Sequence, residues 1–221
     1  MLKKYNDLLN LDATISKDLF ERVEHPWEVL PLIKNYILEL IPNLGDEYKE
    51  LAENVFVHES VKIADTAVIN GPTIICKDTE VRPGAFIRGS VIVGEKCVVG
   101  NSTEMKNAII FNNCQCPHYN YVGDSVLGEK AHTGAGVILS NFKSDGSNVK
   151  IRTNDEVIET GLRKFGAILG NRADIGCNSV LFPGTIIGQN TNVYPLTRVR
   201  GEVLPNRIVK DTDIIVEKEN L

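Results

Sequence analysis

The sequence predicts an all-β fold, a parallel β-helix of hexapeptide repeats, with a short helical region in front of it. Three observations carry this prediction. Every sixth residue from 57 to 111 is apolar (Val57, Ile63, Ile69, Ile75, Val81, Ile87, Val93, Val99, Met105, Phe111), and the step returns at Leu169, Ile175, Leu181, Ile187, Val193 and Val199. Such a period fits neither a helix nor a plain strand, but it is the signature of stacked hexapeptide coils. The next position is often glycine, as at Gly94, Gly100, Gly134, Gly176 and Gly188, where the chain must turn a tight corner. The fifth position is small or branched, as at Val61, Ala67, Thr79, Cys97, Thr103, Ala173 and Thr191. Two inward residues per flat side, with a turn between sides, give a triangular prism whose coil takes three hexads, so residues eighteen apart stack. Each coil can bury its apolar side only against its neighbours.

Taken in order, residues 1–54 read as a helical cap. Pro26-Trp27-Glu28 is a helix start with proline in the first turn, and Val29, Leu30, Leu32, Ile33, Tyr36, Ile37, Leu40 and Ile41 form an apolar stripe that ends before Pro42. This region is expected to cover the open end of the prism; docking of a partner is the alternative. Residues 55–200 form the β-helix. The pattern limps from Cys114 to Val122 and resumes at Leu127, Thr133 and Leu139. Residues 140–166, rich in Ser, Asn, Asp, Lys and Gly, lack the period and read as a loop thrown out from the prism, with room for a short hairpin. Long loops on a rigid scaffold usually carry function. Residues 201–221 read as a C-terminal extension, a strand covering an end or a neighbour.

Composition narrows the partners. The net charge is −5; residues 1–54 hold six Lys/Arg against eleven Asp/Glu, and the remainder holds eighteen of each. The repeat region is therefore neutral and offers no basic stripe to nucleic acid. No stretch approaches the length of a membrane span, and the first residues hold no apolar signal core, so a cytoplasmic protein is expected. The five cysteines include one Cys-x-Cys (Cys114, Cys116) and no second pair to complete a zinc site, so reduced structural thiols are expected.

Chemistry concentrates between Thr103 and Lys150. His118 lies in Pro117-His118-Tyr119-Asn120-Tyr121, where the repeat falters. A histidine can take a proton near neutrality, which suits a general base; a plain turn histidine is the alternative.

The same segment resembles the acetyltransferase half of the bifunctional bacterial enzyme that makes UDP-N-acetylglucosamine. The residues that carry the likeness are Arg82-Pro83-Gly84, Glu104-Met105-Lys106, His118-Tyr119-Asn120-Tyr121-Val122-Gly123-Asp124, Gly134-Ala135-Gly136 and Asn141-Phe142, in that order, within about residues 75–200. The resemblance implies a left-handed β-helix and an acetyl-CoA-dependent transferase of amino-sugar 1-phosphates that needs no metal. It implies a homotrimer with acetyl-CoA in a groove between subunits. His118 would be the base on the sugar amine, with Glu104 either orienting it or offsetting nearby cations. Arg82 and Lys106 would hold the sugar phosphate, and Tyr121 would contact the sugar. Asn141 and Ala135 would line the acetyl slot, and a backbone N–H near the Gly134 corner would face the oxyanion.

Four positions depart from the family pattern. His132 replaces an asparagine, Phe142 a tyrosine and Cys177 a serine, and the sugar-binding lysine falls at Lys150, with Lys143 competing for the role. These changes touch the acceptor more than the reaction type. Residues 1–54 hold one glycine, Gly45, and are too short for the family's nucleotidyltransferase half, so a separate nucleotidyltransferase is an expected partner. Three rivals remain at this point. A γ-type carbonic anhydrase shares the prism but needs three histidines on one zinc, and only His25, His58, His118 and His132 exist. Transfer to oxygen or of another acyl group is the second, and a non-catalytic regulatory scaffold the third.

Overall fold

The computed structural model describes residues 7–153 and 156–219. The chain is a parallel β-helix with three flat sides. The first side stacks Val55–His58, Thr73–Ile75, Val91–Val93, the later halves of Glu104–Ile110 and Tyr121–Leu127, then Ala167–Leu169, Thr185–Ile187 and Glu202–Val203, all parallel. The second side runs from Lys62–Ile63 through Glu80–Val81, Val98–Asn101, Gln115–His118, His132–Thr133, Asp174–Ile175 and Asn192–Val193 to Arg207–Asp211. The third runs from Val68–Ile69 through Phe86–Ile87, the starts of Glu104–Ile110 and Tyr121–Leu127, and Ile138–Leu139 to Val180–Leu181 and Arg198–Val199.

The inward hexad residues make the core: Ile75, Ile87, Val93, Val99, Met105, Leu169 and Ile187 are fully buried. The fifth-position threonines are buried too, and their hydroxyls need partners there. Thr79 donates to Gly94 O (2.7 Å), Thr103 to Cys116 O (3.0 Å) and Thr191 to Leu204 O (3.0 Å), further along the prism, while Thr73 donates back to Asn70 O (2.7 Å).

The coil length is not constant. Residues eighteen apart stack until Met105, but Val93 pairs with Ile110 and Ile110 with Leu127, seventeen apart. Ile110, not Phe111, therefore takes the inward position. Phe111 packs edge-to-face on Phe20 at 5.5 Å. The residue is saved at the corner between the third and first sides. The coil before the change turns there on two left-handed residues, Gly89 and Ser90; the next two turn on one each, Asn107 and Asp124. Asn and Asp tolerate that conformation better than most side chains.

Residues 7–54 differ from the expected cap. The helical region lies along the first side rather than over an end. Helix Ile33–Leu40 contacts Val91–Val93 and Glu104–Ile110, and Trp27 stacks near Phe165 at 6.4 Å. Asn112 N–H donates to Ala13 O and Asn171 N–H to Leu8 O, both at 2.9 Å. The reason is in the strands. The outward residues of the first side, Ile74, Ile92, Ile109, Val126 and Ile168, are apolar and fully buried, so this side must be covered on both faces. Residues 48–52 are not helical but form a strand, Tyr48–Ala52, antiparallel to Val55–His58. At the other end the repeat does not stop at 200. Val203 and Val209 still stack on Ile187 and Val193, sixteen apart, before Ile214–Glu217 folds back antiparallel. Hairpins thus flank both ends of the stack, where bare strand edges would invite pairing.

The stretch between Ile138–Leu139 and Ala167–Leu169 leaves the prism and holds an antiparallel pair, Lys150–Arg152 with Val157–Glu159. Cys76, Cys97, Cys114 and Cys116 are buried free thiols, and burial pushes Cys76 and Cys116 up to about 12. Among the described residues, no helix is long and apolar enough to cross a membrane.

Candidate active site

Two corners of the prism collect the residues singled out in the sequence. At the corner between the second and third sides, Pro83, Asn101, His118, Ala135 and Cys177 stack in successive coils. A ladder of backbone bonds fixes them. Tyr119 N–H donates to Asn101 O (2.8 Å), Gly136 N–H to His118 O (3.0 Å) and Asn178 N–H to Ala135 O (2.8 Å). His118 is exposed, and its ring makes no hydrogen bond among the described residues. The turn that carries it is pinned from beneath by Asn120, only 2% exposed. The Asn120 side chain accepts His118 N–H at 3.3 Å and donates to Gly134 O at 2.7 Å. Tyr119, between them, is left-handed. Sequence reading quoted Asn120 within the motif but gave it no role; the signal was a polar residue where the period demanded burial.

The Gly134 corner offers one donor. Gly134 N–H is taken by Ile175 O (2.7 Å) and Gly136 N–H by His118 O, while Ala135 N–H has no partner among the described residues. A side chain at Gly134 would meet Cys177 N at 2.8 Å and Cys177 Sγ at 3.0 Å, which places the Cys177 thiol against the same corner.

At the corner between the third and first sides, the buried Asp124 carboxylate is a hub. It accepts from Lys106 Nζ (3.2 Å), Asn107 Nδ2 (3.0 Å) and Asn141 Nδ2. Asn141 also donates to Tyr121 Oη at 3.1 Å. Burial of Tyr121 raises its hydroxyl above the usual value, so it stays protonated. The left-handed residues that shorten the coil, Asn107 and Asp124, are the ones that build this cluster. Asp124 had no role in the sequence reading either.

The structure therefore does not gather all the expected residues. Glu104 pairs with Arg88 (2.7 Å), not with the His118 ring. Arg82 is held by Glu80 through Nε (3.1 Å) and a terminal nitrogen (3.3 Å) on the second side. Lys106 sits at the opposite edge of the third side, already paired with Asp124. Lys150 pairs with Glu159 and, with Lys143, Arg152, Phe182, Pro183 and Arg200, lines a separate cleft of about 160 Å³. Within one chain, the two cations named for the phosphate, Arg82 and Lys106, and the lysine named for the sugar, Lys150, lie in three places. Their charges were visible in sequence, but their pairings with Glu80, Asp124 and Glu159 were not. His132 Nδ1 lies 2.7 Å from Asp174 Oδ1 on the second side, and that bond holds the Asp174 carboxyl below its usual range. Phe142 is exposed, with the Arg163 guanidinium 5.7 Å over its ring.

The other histidines are engaged elsewhere: His25 stacks on Trp27 at 4.6 Å, and His58 lies 2.9 Å from Ser60 Oγ. Among the described residues, no three His, Cys, Asp or Glu side chains come together as metal ligands.

Comparison with known proteins follows this geometry. The family model described as the GMPPB C-terminal domain matches residues 69–162. The chain is 32% identical over 182 residues to the bifunctional sugar-1-phosphate nucleotidylyltransferase/acetyltransferase of Sulfurisphaera tokodaii, covering 80% of this chain and 45% of that protein. It is 30% identical over 224 residues to the bifunctional protein GlmU of Methanococcus maripaludis, covering 99% of this chain and 54% of that protein. The chain spans about half the length of these two relatives. It is also 31% identical over 199 residues to the uncharacterized acetyltransferase YaiX of Escherichia coli, and here it covers 84% of this chain and 86% of that protein. Hexad spacing, triangular coils and near full-length similarity to an acetyltransferase agree, and the chain belongs to the hexapeptide-repeat acetyltransferases.

Proposed function

We propose that the chain transfers the acetyl group of acetyl-CoA to the amine of an amino-sugar 1-phosphate, glucosamine 1-phosphate or galactosamine 1-phosphate, as a cytoplasmic homotrimer that needs no metal. The observation that carries this reading is the stack of His118, Ala135 and Cys177 along one exposed edge. It sets a proton acceptor beside an amide N–H with no other partner among the described residues. The name of the Sulfurisphaera tokodaii relative, a bifunctional sugar-1-phosphate nucleotidylyltransferase/acetyltransferase, supports the substrate class.

In this mechanism the amine nitrogen attacks the thioester carbonyl carbon directly. The new N–C bond forms as the carbonyl π electrons move to oxygen, and Ala135 N–H donates to that oxyanion. The His118 imidazole takes the proton from the attacking nitrogen. The C–S bond then breaks, and the imidazolium returns the proton to the departing sulfur, giving the CoA thiol. Juxtaposing two bound reactants supplies most of the acceleration, and the base adds to it.

A trimer is supported by the surface beside His118. Val68 and Phe86 project from the third side at 53% and 38% exposure, and Tyr119 and Leu196 stand at its edge at 62% and 77%. A second copy seated there would bury this apolar stripe and turn the exposed His118 edge into a groove. It would also bring one copy's His118 edge toward the other's Lys106 edge. Acetyl transfer assayed on glucosamine 1-phosphate and galactosamine 1-phosphate, with light scattering on the same sample, tests the reading. A folded trimer inert on both acceptors, or a stable monomer, overturns it.

A further inference from the structure

The cleft beside Phe182 differs in charge from every other site described above. Arg82, Arg88 and Lys106 each already hold a carboxylate. The cleft brings together four cations, Lys143, Lys150, Arg152 and Arg200. Two carboxylates reach it among the described residues, Asp145 at 3.4 Å from Lys143 Nζ and Glu159 on Lys150. Arg152 and Arg200 have no carboxylate partner among the described residues. The Arg200 guanidinium carbon lies over the Phe182 ring, 4.6 Å from its centre, and a guanidinium presents a planar fork of donors suited to phosphate oxygens.

The cleft is also built rather than incidental. The strand Lys150–Arg152 is seated on the prism by two left-handed glycines. A side chain at Gly184 would meet Val149 Cγ1 at 2.8 Å and Lys150 O at 3.0 Å, and one at Gly201 would meet Arg152 O at 2.4 Å. Val149 and Ile151 are fully buried, so Lys150 and Arg152 are held outward on either side of Ile151. Alternate residues of a strand stand about 7 Å apart. That span exceeds one phosphoryl group and suits two, with Arg200 facing them from the prism wall.

We propose that this cleft binds the diphosphate of a nucleotide. It stands apart from the acceptor reading above, because its readout is binding. Two sources share the chemistry, the donor's CoA and a nucleoside-diphosphate-linked sugar, and the probes separate them.

Calorimetric titration of the full chain with pyrophosphate, UDP and CoA, against inorganic phosphate and glucosamine 1-phosphate, tests it. Diphosphates are expected to bind about tenfold or more tightly than monophosphates. Arg152→Ala and Arg200→Ala are each expected to weaken diphosphate binding by about tenfold or more. Gly201→Ala should weaken it with every charge still in place, by displacing the strand, whereas Lys210→Ala, on the second side of the prism and outside the cleft, should not. Thermal melts confirm that each variant is folded. Loss of UDP binding in the arginine variants assigns the cleft to a nucleoside-diphosphate-linked sugar, and loss of CoA binding alone assigns it to the donor. Equal affinity for mono- and diphosphates, or affinity untouched by both arginine substitutions, overturns the proposal. No diphosphate binding with acetyl transfer intact overturns this inference alone; diphosphate binding without transfer overturns the acceptor reading alone.

Discussion

His118 and Ala135 occupy the same corner of consecutive coils, joined by the Gly136 N–H to His118 O bond at 3.0 Å. Adjacent strands lie about 4.8 Å apart, so the backbones that carry the imidazole and the Ala135 amide leave the prism from one edge, a single strand spacing apart. The coil repeat itself sets that distance.

Replacing His118 with alanine is expected to lower turnover by about 10²–10⁴-fold and to leave acetyl-CoA affinity unchanged, since the ring anchors no described residue. Steady-state kinetics with calorimetric binding on the same preparation check this. Wild-type turnover in the variant removes His118 from the mechanism.

Glu104 faces Arg88 and not the imidazole. Glu104→Gln should therefore leave the pH profile of kcat where it is in the wild type and cost no more than about 1 kcal/mol of stability, the usual worth of an exposed pair. A displaced pH profile would place Glu104 back beside the base.

Asp124 is 5% exposed and receives three side-chain donors. Asp124→Ala leaves the Lys106 ammonium and two amides without their acceptor and should destabilise the protein by about 1–3 kcal/mol. Urea unfolding measures the loss. Substrate affinity should fall with it, because Tyr121 and Asn141 are held through the same cluster.

The His132–Asp174 pair sets a pH dependence. The hydrogen bond from His132 lowers the Asp174 carboxyl below its ordinary 3.8 in the folded state. A depressed carboxyl contributes stability above that ordinary value and loses it as pH falls through the lower native value. Both side chains are about half exposed, so the contribution is under about 1 kcal/mol. Unfolding curves of wild type and Asp174→Asn should differ by that much at pH 6 and converge as the pH falls through the lowered native value. Curves that stay apart in acid would contradict the assignment.

The hexad spacing determined the architecture before any coordinates, because a side chain that must point inward every sixth residue has few other ways to be buried. The period alone would have set Gly136 on His118; the seventeen-residue coil sets Ala135 there instead. Tertiary structure alone decided the shortened coils, because one left-handed residue can replace two wherever Asn107 or Asp124 accepts the conformation. It alone decided where the helical region packs: the doubly apolar triplets such as Val91-Ile92-Val93 mark the first side in sequence, but only the fold reveals what covers them. And it alone decided which charges are spent. Glu80, Arg88 and Asp124 reach their partners from neighbouring strands or across a turn, so pairing depends on rotamer and register, which a one-dimensional pattern does not contain.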